Sequence, residues 1–276
     1  MEFKDTLSKK LKAMKLHNVI SMSFVGSIIT EKDFSKVGDI DIIVVLKKMN
    51  YENYTALIKT FKTFIKDISQ GQYIFHLETR RGTIKPIYEN KNHKQLHLLV
   101  YDTHTWNNIN KDALYEWTEY NQNVRGKELR HITKKFKLTK EHILYDVTYF
   151  LKELENKTIL ISRDVLDPEK KTLVKKREYI RSENQSEIYH AVWNTLITLL
   201  NYARLNTKIR NNQDELLAYA RLHEKRYYNH IKKAYELKYR LKSHEKISNS
   251  EAREFRKNSI SFIRYIKNRL KNSSSD

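Results

Sequence analysis

No cysteine occurs anywhere in the 276 residues, which excludes a disulfide framework and any zinc site built on thiolates. Glycine and proline are nearly as scarce, at 5 and 2. A fold of many short strands joined by tight turns needs both repeatedly, so the composition points to a helix-rich chain. No apolar run approaches the ~20 residues of a membrane-spanning helix. The opening stretch, "MEFKDTLSKKLKAMKLHNVI", alternates in charge and lacks the apolar core of a secretory leader. Phe3, Leu7, Leu11 and Met14 recur there at helical spacing, so an amphipathic helix and a soluble, cytoplasmic protein are expected. There is no P-loop, no G-x-G-x-x-G and no H-E-x-x-H. His104, His142, His190, His223, His230 and His244 are scattered without metal-ligand spacing. P-loop kinases and dinucleotide-binding dehydrogenases are thereby disfavoured.

Apolar residues make up 39% of the chain and tyrosines number 18, enough to pack one large domain or two ordinary ones. Lysine and arginine total 53 against 33 acidic residues, a net charge of +20. A field of that sign gathers polyanions, so a nucleic-acid partner is expected. The competing explanation is a lysine-rich surface that is merely solvated. The excess is uneven: residues 1–104 carry +6 and residues 105–276 carry +14. "KKFKLTK" and "EKKTLVKKREYIR" read as basic clusters at or between helices.

Up to about Asp102 short β-like runs alternate with helix. "NVISMSFVG", "DIDIIVVL" and "QLHLLVY" read as strands. "YIFHLET" and "GTIKPIY" read as paired strands around an "RRG" turn. A helix is expected from the Tyr54, Leu57, Phe61, Ile65 stripe. After Thr103 strand signals nearly vanish, and helices are expected at 110–122, 139–156, 184–206, 212–243 and 250–271. Ile188, Val192, Leu196, Leu199 and Ala203 form one stripe, and Phe255, Phe262, Ile266 and Leu270 another. Ser182 with Gln185, and Ser248 with Glu251, have capping-box spacing. The expected class is α+β: an α/β domain over 1–104, then a basic helical bundle over 105–276.

One stretch breaks the apolar logic. "DIDIIVVL" carries Asp39 and Asp41 inside a strand that otherwise reads as buried. Residues i and i+2 of a strand share a face, roughly 6.6 Å apart. Like charges held that close repel unless a cation lies between them, and a hard, oxygen-preferring ion such as Mg²⁺ is the simplest candidate. An exposed strand entrance next to Gly38 is the bland alternative. Upstream, Gly26–Ser27 follows the apolar strand "ISMSFV". A residue without a side chain lets the backbone approach a ligand, and turn amides with a hydroxyl can meet phosphate oxygens.

Val25-Gly26-Ser27, an eleven-residue gap and Asp39-Ile40-Asp41-Ile42 resemble the signature of the nucleotidyltransferase superfamily related to DNA polymerase β. The likeness covers roughly the first hundred residues. It implies that Asp39 and Asp41 bind two Mg²⁺ ions and that Gly26 and Ser27 hold the β- and γ-phosphates of an NTP. The family also implies a third carboxylate on a later strand. In "QLHLLVYD" the equivalent position is His97, with Asp102 at the strand end and Glu78 in "YIFHLET" as further candidates for the metal. Around the turn, Arg80, Arg81 and Lys85 are candidate contacts to triphosphate or acceptor. The function implied is Mg²⁺-dependent transfer of NMP to an acceptor hydroxyl. The charge favours an RNA acceptor, tRNA-like, as in toxin-like members. The alternatives are a small-molecule acceptor of aminoglycoside type, a protein acceptor, or a degenerate module that binds nucleotide or nucleic acid without catalysis.

Overall fold

The computed structural model describes residues 2–31, 33–34, 37, 39–69, 72–82, 90, 92–181, 186–203, 213–242, 245 and 247–272. The chain divides into two units: residues 1–109, 116–135 and 161–178 form the first, and 110–115, 136–160 and 179–276 the second.

The first unit begins with helix α1 (Glu2–Ala13), strand β1 (Val19–Val25), a single turn α2 (Ser27–Thr30) and strand β2 (Asp39–Leu46). Helix α3 (Tyr51–Ile68) follows, started by Asn50, whose side chain accepts from the Asn53 amide. Then come β3 (Ile74–Glu78), β4 (His93–Asp102) and the short α4 (Thr103–Asn107). Helix α5 (Lys111–Glu119), whose first five residues belong to the second unit, leads to β5 (Asn121–Gly126) and a turn α6 (Leu129–Ile132).

Five strands form one mixed sheet in the order β3-β4-β2-β1-β5. β2 lies parallel to β4, and β4 parallel to β3, while β1 runs antiparallel to both its neighbours. The placement of β2 at the centre explains its composition. A strand covered on both faces reads as a continuous apolar run, so its two aspartates are conspicuous. Ile40, Ile42 and Val44 enter a core with Leu7 and Leu11 of α1 and with Tyr54, Leu57 and Phe61 of α3. The odd-numbered positions Asp39, Asp41, Ile43 and Val45 lie on the opposite face.

In the second unit α7 (Lys140–Asn156), α8 (Ser186–Ala203), α9 (Gln213–His223), α10 (Tyr228–Lys242) and α11 (Asn249–Asn272) surround one apolar cluster. The expected stripes are buried in it at Ile188, Val192, Leu196 and Leu199, and at Phe262, Ile266 and Leu270. Ala203 is exposed and Phe255 only half buried. Ser248 Oγ accepts from the Glu251 amide at 3.1 Å, so α11 starts where the spacing placed it. The Ser182–Gln185 spacing and most of "GTIKPIY" lie outside the described residues. The helix expected over 212–243 is two, joined by a 3-10 turn at Lys225–Tyr227.

Two expectations are corrected. Strands do occur after Thr103: β5, and a hairpin of β6 (Thr158–Asp167) and β7 (Thr172–Arg181). β5, "NQNVRG", has a single apolar residue, Val124, so no alternation announces it. It exists because β1 accepts a partner there, and Gly126 permits it: a Cβ at its φ of +76° would strike the Ile20 carbonyl. The basic stretch read as lying between helices is β7, an exposed ribbon whose charges mask its period. The hairpin joins the first unit through paired backbone bonds between Arg81 and Ser162, 2.7 and 2.8 Å long, and an ion pair of Arg81 with Asp164. The expected division at 104/105 is accordingly replaced by one in which residues 116–135 and 161–178 return to the first unit. The class is α+β, with no helix among the described residues long and apolar enough to cross a membrane.

Candidate functional site

The sheet's register assembles a polar grid. Asp41 on β2 stands beside His97 on β4, and His97 beside Glu78 on β3. One row along, Asp39 stands beside Gln95, and Gln95 beside His76. On the other flank Val25 pairs with Asp41, which brings the Gly26–Ser27 bend to the same end of β2. Strand order alone closes the sequence separation between these residues, from Val25 to His97.

Gly26 is required here twice over. Its φ is +72°, a region that side chains disfavour, and a Cβ would lie 2.7 Å from Asp41 Oδ2. The backbone therefore rests directly against a carboxylate of the pair. Ser27 Oγ, in the next position, is shielded from water and makes no hydrogen bond among the described residues. The space a side chain would take at Gly26 is filled by Asp41, and the unbonded Ser27 hydroxyl beside it is a donor of the kind phosphate oxygens accept from. Asp39 is 7% exposed and Asp41's side chain 19%, so both carboxylates are largely desolvated. Hard-cation binding by such a pair is chemically apt.

His97 engages the pair directly. Its Nδ1 is 2.9 Å from Asp41 Oδ1 and its Nε2 is 2.7 Å from the Arg80 carbonyl. Both partners are oxygens, so each ring nitrogen faces an acceptor and the imidazole is held from both sides. Glu78 has its own counter-charge. Arg80 donates to it through Nε at 3.0 Å and through a terminal nitrogen at 2.6 Å, and the Thr79 and Arg80 amides add bonds. Burial pushes the Glu78 carboxyl up, but the Arg80 bonds and charge outweigh it and hold it below the usual range. A third free carboxylate is thus not what borders the pair; an imidazole is.

The remaining expected residues fall as follows. Arg80, 40% exposed at its side chain, reaches the site's edge but is bound to Glu78. Arg81 is structural: it donates to the Val100 carbonyl at 2.8 Å and its guanidinium lies 5.1 Å from the Tyr101 ring centre. Lys85 lies outside the described residues. Asp102 does not join the pair. It is five residues beyond His97 on β4, about 16 Å along the strand. There it caps α4 by accepting from the Thr105 amide at 2.7 Å, and it accepts from the Met49 amide. Its carboxyl, though raised by burial, is held low overall by those bonds.

Gln95 was not anticipated. It is 1% exposed, lies in register with Asp39, and neither end of its amide is bonded among the described residues. The signal was available: Gln95 and His97 in "QLHLL" repeat the i, i+2 polar pattern of Asp39 and Asp41. Ser21 and Ser23, fully buried on β1 with unbonded hydroxyls, extend the same polar face. Among the described residues no group of three or more histidine or acidic side chains has metal-holding geometry. No protein-family model matches this chain, and no curated protein shows a significant match to it.

Proposed function

We propose that the first unit binds an NTP with Mg²⁺ and transfers its NMP to an acceptor hydroxyl. The observation that carries this reading is the contact between the Gly26 backbone and the Asp41 carboxylate, which sets the Gly26–Ser27 bend directly against the acidic pair. Asp39 and Asp41 would hold the cation, and Gly26 with Ser27 the outer phosphates. When bound, Mg²⁺ would withdraw charge from the phosphates and so ease the departure of pyrophosphate. In the transfer the acceptor oxygen bonds to the α-phosphorus, the bond from that phosphorus to the β-phosphate oxygen breaks, and the hydroxyl proton passes to a carboxylate of the pair. His97 holds Asp41 in one orientation by tying its Oδ1 to the Arg80 backbone. The net charge of +20 supports RNA as the acceptor, because lysine and arginine contacts to phosphates supply affinity regardless of sequence.

A specific observation supports a second reading. The position where the resemblance implies a carboxylate holds His97, already bonded to Asp41. That arrangement suits nucleotide binding without turnover. The test incubates the protein with Mg²⁺, RNA and each α-labelled NTP in turn. Label on RNA that disappears with Asp39→Ala and Asp41→Ala supports transfer. Nucleotide binding by calorimetry with no pyrophosphate release selects the second reading, and the absence of both rejects the site.

A further inference from the structure

The second unit has a feature that the nucleotide site does not use. Along one side of α11 runs an open groove of about 700 Å³ lined by six cationic side chains: Lys157, Arg226, Arg253, Arg256, Lys257 and Arg264. Two of them are spoken for. Arg256 pairs with Glu187, which is fully buried, and Arg264 pairs with Glu155 at 2.7 Å. The other four have no carboxylate partner among the described residues. Four like charges facing one groove repel one another, and a bound polyanion removes that repulsion.

We infer that this groove is a binding track for a single-stranded nucleic acid. Length argues against a lone phosphate. From Arg253 to Arg264 the cations follow one side of the helix for eleven residues, about 16 Å at 1.5 Å per residue. At about 3.4 Å of rise per nucleotide in a stacked strand, that spans four or five phosphates. The floor argues against an acidic peptide. Tyr227 and Tyr265 line the groove with ring centres 5.4 Å apart, and Tyr265 is exposed. Arg269 lies 5.6 Å from the Tyr265 ring centre and is itself fixed by bonds of 2.6 and 3.1 Å to the buried Glu224. A pair of aromatic rings, tilted 40° to each other and bordered by backbone-neutralising cations, is the kind of surface on which unpaired bases stack. The side chains come from the end of α7, the 3-10 turn and α11, so the track belongs wholly to the second unit. It does not depend on whether the first unit transfers a nucleotide.

The experiment measures binding of a fluorescent oligouridine of about a dozen nucleotides to the full chain, by anisotropy across a salt series. The triple change Arg226→Ala, Arg253→Ala, Lys257→Ala removes three cations that have no carboxylate partner among the described residues and leaves Arg256 and Arg264 on their carboxylates. At moderate salt it is expected to weaken binding tenfold or more. The slope of log affinity against log salt is expected to fall by about 2, near 0.7 per lost phosphate contact. Tyr265→Ala is expected to weaken binding about tenfold with the slope unchanged. The control triple Lys9→Ala, Lys10→Ala, Lys12→Ala, equal in charge and exposed on α1, is expected to leave the slope near that of the parent. Equal losses in both triples overturn the track in favour of diffuse charge. Binding insensitive to Tyr265→Ala, or displaced equally well by polyglutamate, overturns the assignment to nucleic acid. Melting curves confirm that each variant is folded. The groove variants are expected to keep Mg²⁺-ATP affinity, and Asp39→Ala with Asp41→Ala to keep oligouridine binding, so either proposal can fail alone.

Discussion

The imidazole of His97 bridges Asp41 Oδ1 at 2.9 Å to the Arg80 carbonyl at 2.7 Å, and so links β2 to the segment after β3 across β4. This one side chain stands at the position where the resemblance implies a carboxylate. The difference is electrostatic. An acidic trio would carry three negative charges, whereas here an imidazole stands beside Asp41 and Glu78 is paired with Arg80.

His97→Asp tests that contrast. Three clustered carboxylates repel in the absence of a cation and bind one better in its presence. The variant is expected to melt several degrees below the parent in EDTA, at about 1 kcal/mol for each 2–4 °C in a chain of this size. It is expected to recover on adding Mg²⁺ or Mn²⁺. A melting temperature indifferent to the divalent ion counts against Asp39 and Asp41 as a cation site.

Gly26→Ala adds a Cβ 2.7 Å from Asp41 Oδ2 at a φ of +72°. With ψ at −152° this backbone is essentially confined to glycine and costs an alanine about 1–3 kcal/mol, and the clash forces Asp41 to move. Chemical denaturation should show a loss of at least that size, and calorimetry a loss of Mg²⁺-ATP binding. An alanine variant of parental stability and affinity would show that the bend and the acidic pair do not act together.

The second unit buries a carboxylate couple with consequences for pH. Asp112 accepts from Thr198 and Asn201, and Asp146 accepts from Asn110. Burial, then the Asp112 charge, pushes Asp146 up to about 7 from 3.8, and burial also raises Asp112. The folded state thus holds a proton on Asp146 that the unfolded chain has released between pH 3.8 and about 7. Stability from this group falls as pH rises through that window. Asp146→Asn mimics the protonated form, so its melting temperature relative to the parent is expected to be higher at pH 8 than at pH 5. A difference that is constant with pH, or that reverses, contradicts the sign.

Arg256 is 12% exposed at its side chain and pairs with Glu187, which is fully buried. Arg256→Ala removes a guanidinium from a desolvated carboxylate, a change that typically costs about 3–5 kcal/mol. Adding Glu187→Gln to that variant should recover part of the loss, as read by urea denaturation. No recovery would mean that Arg256 contributes through packing of its stem instead.

How much was legible in advance differs from residue to residue. Leu7, Leu11, Tyr54, Phe61, Leu196 and Phe262 were readable because helical spacing alone determines which face of a segment is apolar, and that face is the one buried. Asp39 and Asp41 were readable because strand alternation puts them on one side. β5 was not, because a strand with a single apolar residue forms only where an existing edge offers bonds. Nor was the exposed hairpin, whose Lys175, Lys176 and Arg177 hide its period.

Local periodicity, the Gly26–Ser27 bend and the acidic pair follow from the sequence by itself, since each rests on contacts within a few residues. Tertiary structure alone decided that His97 rather than Asp102 borders Asp41. It also decided that Gln95 borders Asp39, and that Lys157 and Arg226 share a groove with α11. The reason is that pairing across a sheet or between helices depends on strand order and helix packing, which no short window of sequence records.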